Sequence, residues 1–138
     1  MRKTAHLYAT VGLEDARFSY QFAEVFTGET FWLFLKHLVA KYDRIKIFLI
    51  IDNAPCHNLP PAGKRWLAEN RRRIELHRLP PYSPELNPME PCWKVTRKLT
   101  THNRFYATTD ERDAALRKTF GTFRRRPNLI SAHVARFQ

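Results

Sequence analysis

Glycine is scarce in this sequence, four residues in 138. That scarcity excludes a glycine-rich phosphate loop, which needs several close backbone approaches in one turn. Cysteine is scarcer still. Cys56 and Cys92 are the only two, too few for a disulfide scaffold and in keeping with a reducing compartment. No C-x-x-C pair occurs, so Cys56, Cys92, His57 and His102 lack the spacing of a zinc site. Long apolar runs are missing as well: Ile47-Phe48-Leu49-Ile50-Ile51 falls far below the roughly 18 residues of a membrane span. Met1-Arg2-Lys3 is basic, but no continuous apolar segment follows it as in a secretion signal. The expected location is cytoplasmic, with no membrane partner.

Acidic residues are also in short supply. Against 13 Asp and Glu stand 24 Lys and Arg, a net charge of +11. Such an excess favours a polyanionic partner, nucleic acid above all. The hydrophobic fraction of 43% and charged fraction of 27% exclude wholesale disorder. The length fits one domain of about 150 residues, or part of a larger one.

Hydrophobic periodicity predicts the elements. Residues 5–11 alternate with period 2, and Phe18, Tyr20, Phe22 and Phe26 alternate with Ser19, Gln21 and Ala23. Joined by Gly12-Leu13-Glu14-Asp15, these read as an antiparallel hairpin. Thr27-Gly28-Glu29-Thr30 has helix N-cap types, and Phe31, Phe34, Leu35, Leu38, Val39 and Tyr42 follow at helical spacing. Residues 46–51 read as a central strand buried on both faces, with Asp52 at its carboxyl end. A loop over 53–61 leads to a helix over 62–70 with Trp66 and Leu67 inward, then a strand over 74–79. Pro80, Pro81, Pro84 and Pro88 rigidify the next loop. Helices follow from Met89 to about Thr100 and from Thr109 to the Arg124-Arg125-Arg126-Pro127 stop, and the tail carries no assigned element. The order β-β-α-β-α-β-loop-α-α predicts an α/β fold, a mixed sheet with helices on its faces.

Two carboxylates stand out. Asp52 ends the most apolar strand, where sites of open α/β sheets lie. Glu90 opens the helix after the proline-rich loop. One helix, one strand and one loop separate them, enough for the chain to return to the same sheet edge. Together they would suit one hard divalent ion and metal-assisted phosphoryl transfer. On spacing alone, a helix N-cap for Asp52 and dipole complementation for Glu90 are the plainer explanation.

The local words are more specific. Leu49-Ile50-Ile51-Asp52-Asn53-Ala54-Pro55-Cys56-His57 precedes Leu79-Pro80-Pro81-Tyr82-Ser83-Pro84-Glu85-Leu86-Asn87-Pro88-Met89-Glu90-Pro91-Cys92-Trp93. In both, the sequence resembles the DDE transposases of bacterial insertion sequences in the mariner-like superfamily, and Thr101-His102-Asn103-Arg104-Phe105 is similar to the family too. The resemblance spans roughly residues 3–125. It implies an RNase H-like, integrase-like fold in which three carboxylates hold two Mg²⁺ or Mn²⁺ ions. Asp52 resembles the second carboxylate and Glu90 the third. The implied reaction is DNA transposition: metal-dependent strand cleavage at transposon ends, then attack of the freed 3′-hydroxyl on target DNA, commonly at a TA dinucleotide. The implied partner is double-stranded DNA, with a homodimer or an intact transposase as the implied protein partner.

The sequence departs from that pattern in one respect. The family's first Asp lies on a strand upstream of a hairpin like residues 5–26, and no counterpart precedes the hairpin here. Glu14, Asp15 and Glu24 are the only acids near the start. The helix-turn-helix region of the family has no counterpart either. Residues 1–138 are therefore expected to be a partial catalytic domain lacking the first strand, inactive alone and with an apolar strand edge left open. Two carboxylates supply half the charge needed to neutralise two Mg²⁺ ions. The competing expectations are a catalytically inactive DNA-binding or transposase-interacting remnant, and a generic basic nucleic-acid binder.

The supporting residues carry two readings each. His57 would contact DNA or tune metal-bound water, or else close a turn. Asn53 orients Asp52 or caps the loop. Trp93, one helical turn after Glu90, packs to fix that helix or stacks on a base. Asn87 belongs to the second signature. Tyr82-Ser83 lacks the partners of a nucleophile and reads as part of the loop that positions Glu90. Arg71, Arg72, Arg73, Lys94, Arg97, Lys98, Arg124, Arg125 and Arg126 are the expected DNA-backbone contacts, against the plainer reading of solvated charge.

Overall fold

The computed structural model describes residues 6–81, 84–101 and 105–135. In chain order the elements are β1 (His6–Val11), β2 (Phe18–Ala23), α1 (Gly28–Lys41), β3 (Ile47–Ile51), α2 (Pro61–Glu69), β4 (Ile74–Arg78), α3 (Met89–Thr96), α4 (Thr109–Arg125) and α5 (Asn128–Ala135). They fall into two compact units. One takes the chain up to Phe22 and from Pro88 onward, and the other runs Ala23–Asn87. No helix among the described residues is long and apolar enough to cross a membrane.

In the first unit β1 and β2 pair as a two-stranded sheet. The connection Gly12–Arg17 is too short for a parallel crossover, so the pair is an antiparallel hairpin. Gly12 N–H donates to Arg17 O (2.9 Å) across the turn. A Cβ on Gly12 would lie 2.2 Å from Asp15 Oδ1, so any larger residue there would displace the Asp15 side chain. The period-2 residues Leu7, Ala9, Val11, Phe18, Tyr20 and Phe22 pack against Cys92, Leu116, Phe120, Phe123, Ile130 and Val134. Phe18 stacks on Phe120 with ring centroids 5.0 Å apart and meets Phe123 edge-on at 5.3 Å. Such aromatic pairs add to the large apolar area each ring removes from water. Thr108 caps α4 by accepting from Glu111 N–H (3.1 Å). The tail left unassigned forms α5. Pro127 begins its first turn, and Ile130 and Val134, one turn apart, reach the same core.

In the second unit Thr27 and Thr30 form a reciprocal cap at the start of α1. The stripe Phe31, Phe34, Leu35 and Leu38 is buried, as its spacing predicts. β3 and β4 are parallel, with Ile47 opposite Ile74 and Ile51 opposite Arg78. α2 is the crossover between them, and Trp66 and Leu67 are half-buried on it. Arg73 Nη2 donates to Val39 O (2.9 Å) and Tyr42 O (2.7 Å), satisfying carbonyls at the end of α1.

Several expectations are corrected. One mixed sheet is predicted, but the described residues form two separate two-stranded sheets. A sheet grows only by hydrogen bonding to a neighbour, and no described strand joins β3 other than β4. β3 is also not buried on both faces. Leu49 and Ile51 are buried, whereas Phe48 is 63% and Ile50 45% exposed. The composition of β3 is apolar throughout, yet only the side chains on one face, Leu49 and Ile51, are buried. Phe26 lies beyond β2 and is exposed. The helix expected to reach Thr100 is α-helical only to Thr96 and continues as a π-helical turn over Arg97–Thr101. Thr100 Oγ1 there lies 2.5 Å from Thr119 Oγ1 of α4, tying the widened turn to its neighbour. Tyr82, Ser83 and His102, Asn103 and Arg104 lie outside the described residues.

Two outcomes are expected. Phe120→Ala should lower unfolding free energy by about 3–5 kcal/mol, because it leaves a cavity between Phe18 and Phe123. Denaturant unfolding followed through Trp93, which sits 6.5 Å from Phe120, reads this. Cys92 is fully buried, and desolvation raises its thiol to about 11. It should resist iodoacetamide at pH 8 in the native protein and react after denaturation; rapid native labelling, read by mass spectrometry, would contradict that burial.

Candidate active site

Asp52 is the first residue after β3, at the strand's carboxyl end. Its side chain is exposed, because the chain turns outward there toward the 3₁₀ turn Pro55–His57. Asp52 Oδ1 accepts the Ala54 N–H at 2.9 Å, the bond pattern of an Asx turn. His57 Nδ1 lies 2.9 Å from the same oxygen. Among the described residues nothing is bonded to Oδ2. Asn53 Nδ2 donates to Leu79 O at 2.9 Å, fastening the start of the loop to the end of β4. Asn53 thus serves the backbone beside Asp52, with no hydrogen bond to the Asp52 carboxylate.

Glu90 stands in the first turn of α3, exposed, in the other unit. Pro88 precedes that helix without a side-chain cap, so a carboxylate there complements the helix N-terminus. Trp93 is half-buried one turn later and packs on the aromatic core against Phe120. That contact fixes the helix carrying Glu90. Asn87 is half-buried just before Pro88.

The other acids near the start are already engaged or peripheral. Asp15 Oδ1 accepts Arg17 N–H at 3.0 Å inside the hairpin turn, and Glu14 and Glu24 are exposed. Among the described residues no three His, Cys, Asp or Glu side chains come together to hold a metal. The donors nonetheless suit a hard divalent cation. Asp52 has one carboxylate oxygen with no bond among the described residues, and Glu90 exposes its carboxylate; both are oxygen donors of the type such a cation prefers. The described residues offer carboxylate donors without a closed three-ligand cage.

The basic residues divide by what they already hold. Arg73 is spent on the end of α1, while Arg72 is exposed and Arg71 Nη1 donates to Ala68 O at 3.0 Å. Lys94, Arg97 and Lys98 are exposed on α3 and its π-helical extension. Arg124, Arg125 and Arg126 are exposed at the end of α4, with the Arg124 guanidinium 5.2 Å from the centre of the Tyr20 ring. Two groups that sequence reasoning did not single out also meet the Asp52 loop. Arg78 donates to His57 O and to Asn58 Oδ1, each at 3.1 Å. The Phe31 ring lies 4.7 Å from the His57 ring. The parallel register was the only signal for Arg78, since it sets Arg78 beside Ile51.

No curated protein matches the chain. A family model described as DDE superfamily endonuclease matches residues 1–112, a span that includes β3, Asp52 and Glu90. Proteins of this kind act on DNA as nucleases and transposases and generally use divalent metal ions. With an Asp ending a parallel strand, a Glu opening the helix after a proline-rich loop, and four-fifths of its length matched, the chain belongs to the DDE endonuclease superfamily.

Proposed function

We propose that this chain is catalytic-domain material of a DNA transposase of the mariner-like, insertion-sequence type, with an RNase H-like fold. Its reaction is cleavage of a DNA strand followed by attack of the 3′-hydroxyl on target DNA. The observation that carries the reading is Asp52. It is a carboxylate with one oxygen held and one open, at the carboxyl end of a parallel strand. Asp52 and Glu90 would hold the divalent ions, Mg²⁺ or Mn²⁺. When bound, such ions supply Lewis-acid activation of water and of a sugar hydroxyl. Asn53 anchors the Asp52 loop to β4, and Trp93 holds the helix of Glu90 on its core. Exposed Arg71, Arg72, Lys94, Arg97, Lys98 and the triplet Arg124, Arg125 and Arg126 would bind phosphates of double-stranded DNA. The protein partner would be a second copy or an intact transposase, working in the cytoplasm on the nucleoid.

Among the described residues no three His, Cys, Asp or Glu side chains come together, and on this reading residues 1–138 alone are inactive. The same observation supports a second reading, a non-catalytic DNA-binding or transposase-interacting protein. Plasmid nicking in Mn²⁺ tests both, comparing residues 1–138 with a chain extended through the reading frame upstream of Met1. The extended chain should nick, and Asp52→Asn or Glu90→Gln should each lower the rate on the order of 10³-fold or more. Nicking by residues 1–138 alone, abolished by Asp52→Ala, would overturn the need for a third acid. No nicking by either chain would leave the second reading.

DNA binding is measured separately. Duplex affinity should fall steeply with salt, and Arg97→Ala with Lys98→Ala should reduce the log–log slope by up to about 1.8, or ~0.9 per phosphate. An unchanged slope would remove these two residues from the DNA footprint.

A further inference from the structure

The loop after β3 is held from several sides, and the holding groups converge on Asp52. His57 Nδ1 lies 2.9 Å from Asp52 Oδ1 and 3.1 Å from the Asp52 carbonyl oxygen. Both are acceptors, so Nδ1 carries the proton and donates. With the Ala54 N–H, this gives Oδ1 two donors. The His57 ring is itself confined. The buried Phe31 ring lies 4.7 Å from it, tilted by 45°. Arg78 reaches from the end of β4 to hold the carbonyl of His57 and the side chain of Asn58 with one nitrogen. On the other side Gly28, at the start of α1, admits the loop backbone: a Cβ there would stand 2.2 Å from Asn58 O. The ring cannot swing away from Asp52 without losing Phe31 or displacing a backbone that Arg78 and Gly28 fix.

We infer that His57 and Arg78 are positioning residues for Asp52: His57 binds one carboxylate oxygen, Arg78 locks the turn that carries His57, and the second oxygen is thereby presented to a divalent cation. The inference rests on Asp52 being a metal carboxylate, as proposed above. A carboxylate fixed in advance loses less freedom on binding the ion, and such hydrogen-bonding partners typically account for about 10–100-fold in metal affinity. His57 need not touch metal or DNA to act this way.

The test is Mn²⁺ binding to the full chain, read by the loss of the free-ion electron paramagnetic resonance signal at constant pH. Wild type, Asp52→Asn, His57→Ala, His57→Asn, His57→Gln and Arg78→Ala are compared, with circular dichroism melts run on each. His57→Ala should weaken binding about 10–100-fold. Asn places an amide N–H where Nδ1 stood and should restore binding to within a few-fold, whereas Gln places it further out and should not. That contrast holds even if the alanine variant fails to fold. Arg78→Ala should weaken Mn²⁺ binding while leaving secondary structure intact. If Asp52→Asn abolishes binding but His57→Ala, Asn and Gln all bind like wild type, the positioning role is wrong. If wild type binds no Mn²⁺, or Asp52→Asn binds equally, the metal reading beneath it fails and the inference falls with it.

Discussion

The parallel ladder between β3 and β4 is the constraint on which the candidate site depends. Its register sets Ile51 opposite Arg78, and the ladder runs on through Leu79 N–H to Ile51 O at 2.8 Å. Asp52 and Asn53 therefore leave β3 beside the end of β4. Asn53 can reach Leu79, and Arg78 can reach the loop that follows. A shift of one residue would turn Arg78 to the other face, because side chains alternate along a strand. The carboxylate, its histidine and the clamping guanidinium would then no longer share one corner. The ladder is in turn tied to α1 by Arg73, whose guanidinium satisfies carbonyls at the helix end.

The net charge of +11 is therefore not one undifferentiated reserve for DNA. Arg73 and Arg78 lie in or beside basic stretches, yet their guanidinium groups are bonded to protein acceptors. Lys46 is likewise paired, 2.6 Å from Glu75, and together with His77 it holds that carboxyl below its ordinary range. Arg124 and Arg125 also donate, to Phe18 O and Thr122 Oγ1, so the outward set on α3, its π-helical extension and the end of α4 is smaller than composition implies. Guanidinium planarity suits both tasks, since one nitrogen can bridge two carbonyl-type acceptors as readily as phosphate oxygens.

The two units use their apolar residues differently. Around Phe18, Phe120 and Phe123 the hairpin and helices close a core of touching rings, which also seats Trp93 beneath the helix of Glu90. In β3 the same apolar richness is only half used, with Phe48 and Ile50 left outward beside the paired charges of Lys46, Glu75 and His77. Apolar content thus measures the capacity of a strand to be buried. Burial itself requires a neighbouring element on each face.

Much was legible in the sequence because its causes are local. Period-2 alternation predicted β1 and β2, helical spacing predicted α1, and the N-cap types from Thr27 marked its start because the Thr27 hydroxyl accepts from an orphan N–H group. The family was legible in specific words, and the family match covers residues 1–112, a span that includes Asp52 and Glu90. Nonlocal facts were not legible. The split into two small sheets, the exposed side of β3 and the π-helical turn after Thr96 depend on which partners each element meets. So does the assignment of Arg73 and Arg78, twenty or more residues from their acceptors. The sequence by itself determined which carboxylates and cations are present and which elements carry them, through short-range sterics and hydrogen bonding. Only the tertiary structure decided which oxygen of Asp52 is committed, because its histidine is fixed by a strand register and a helix start distant in the chain.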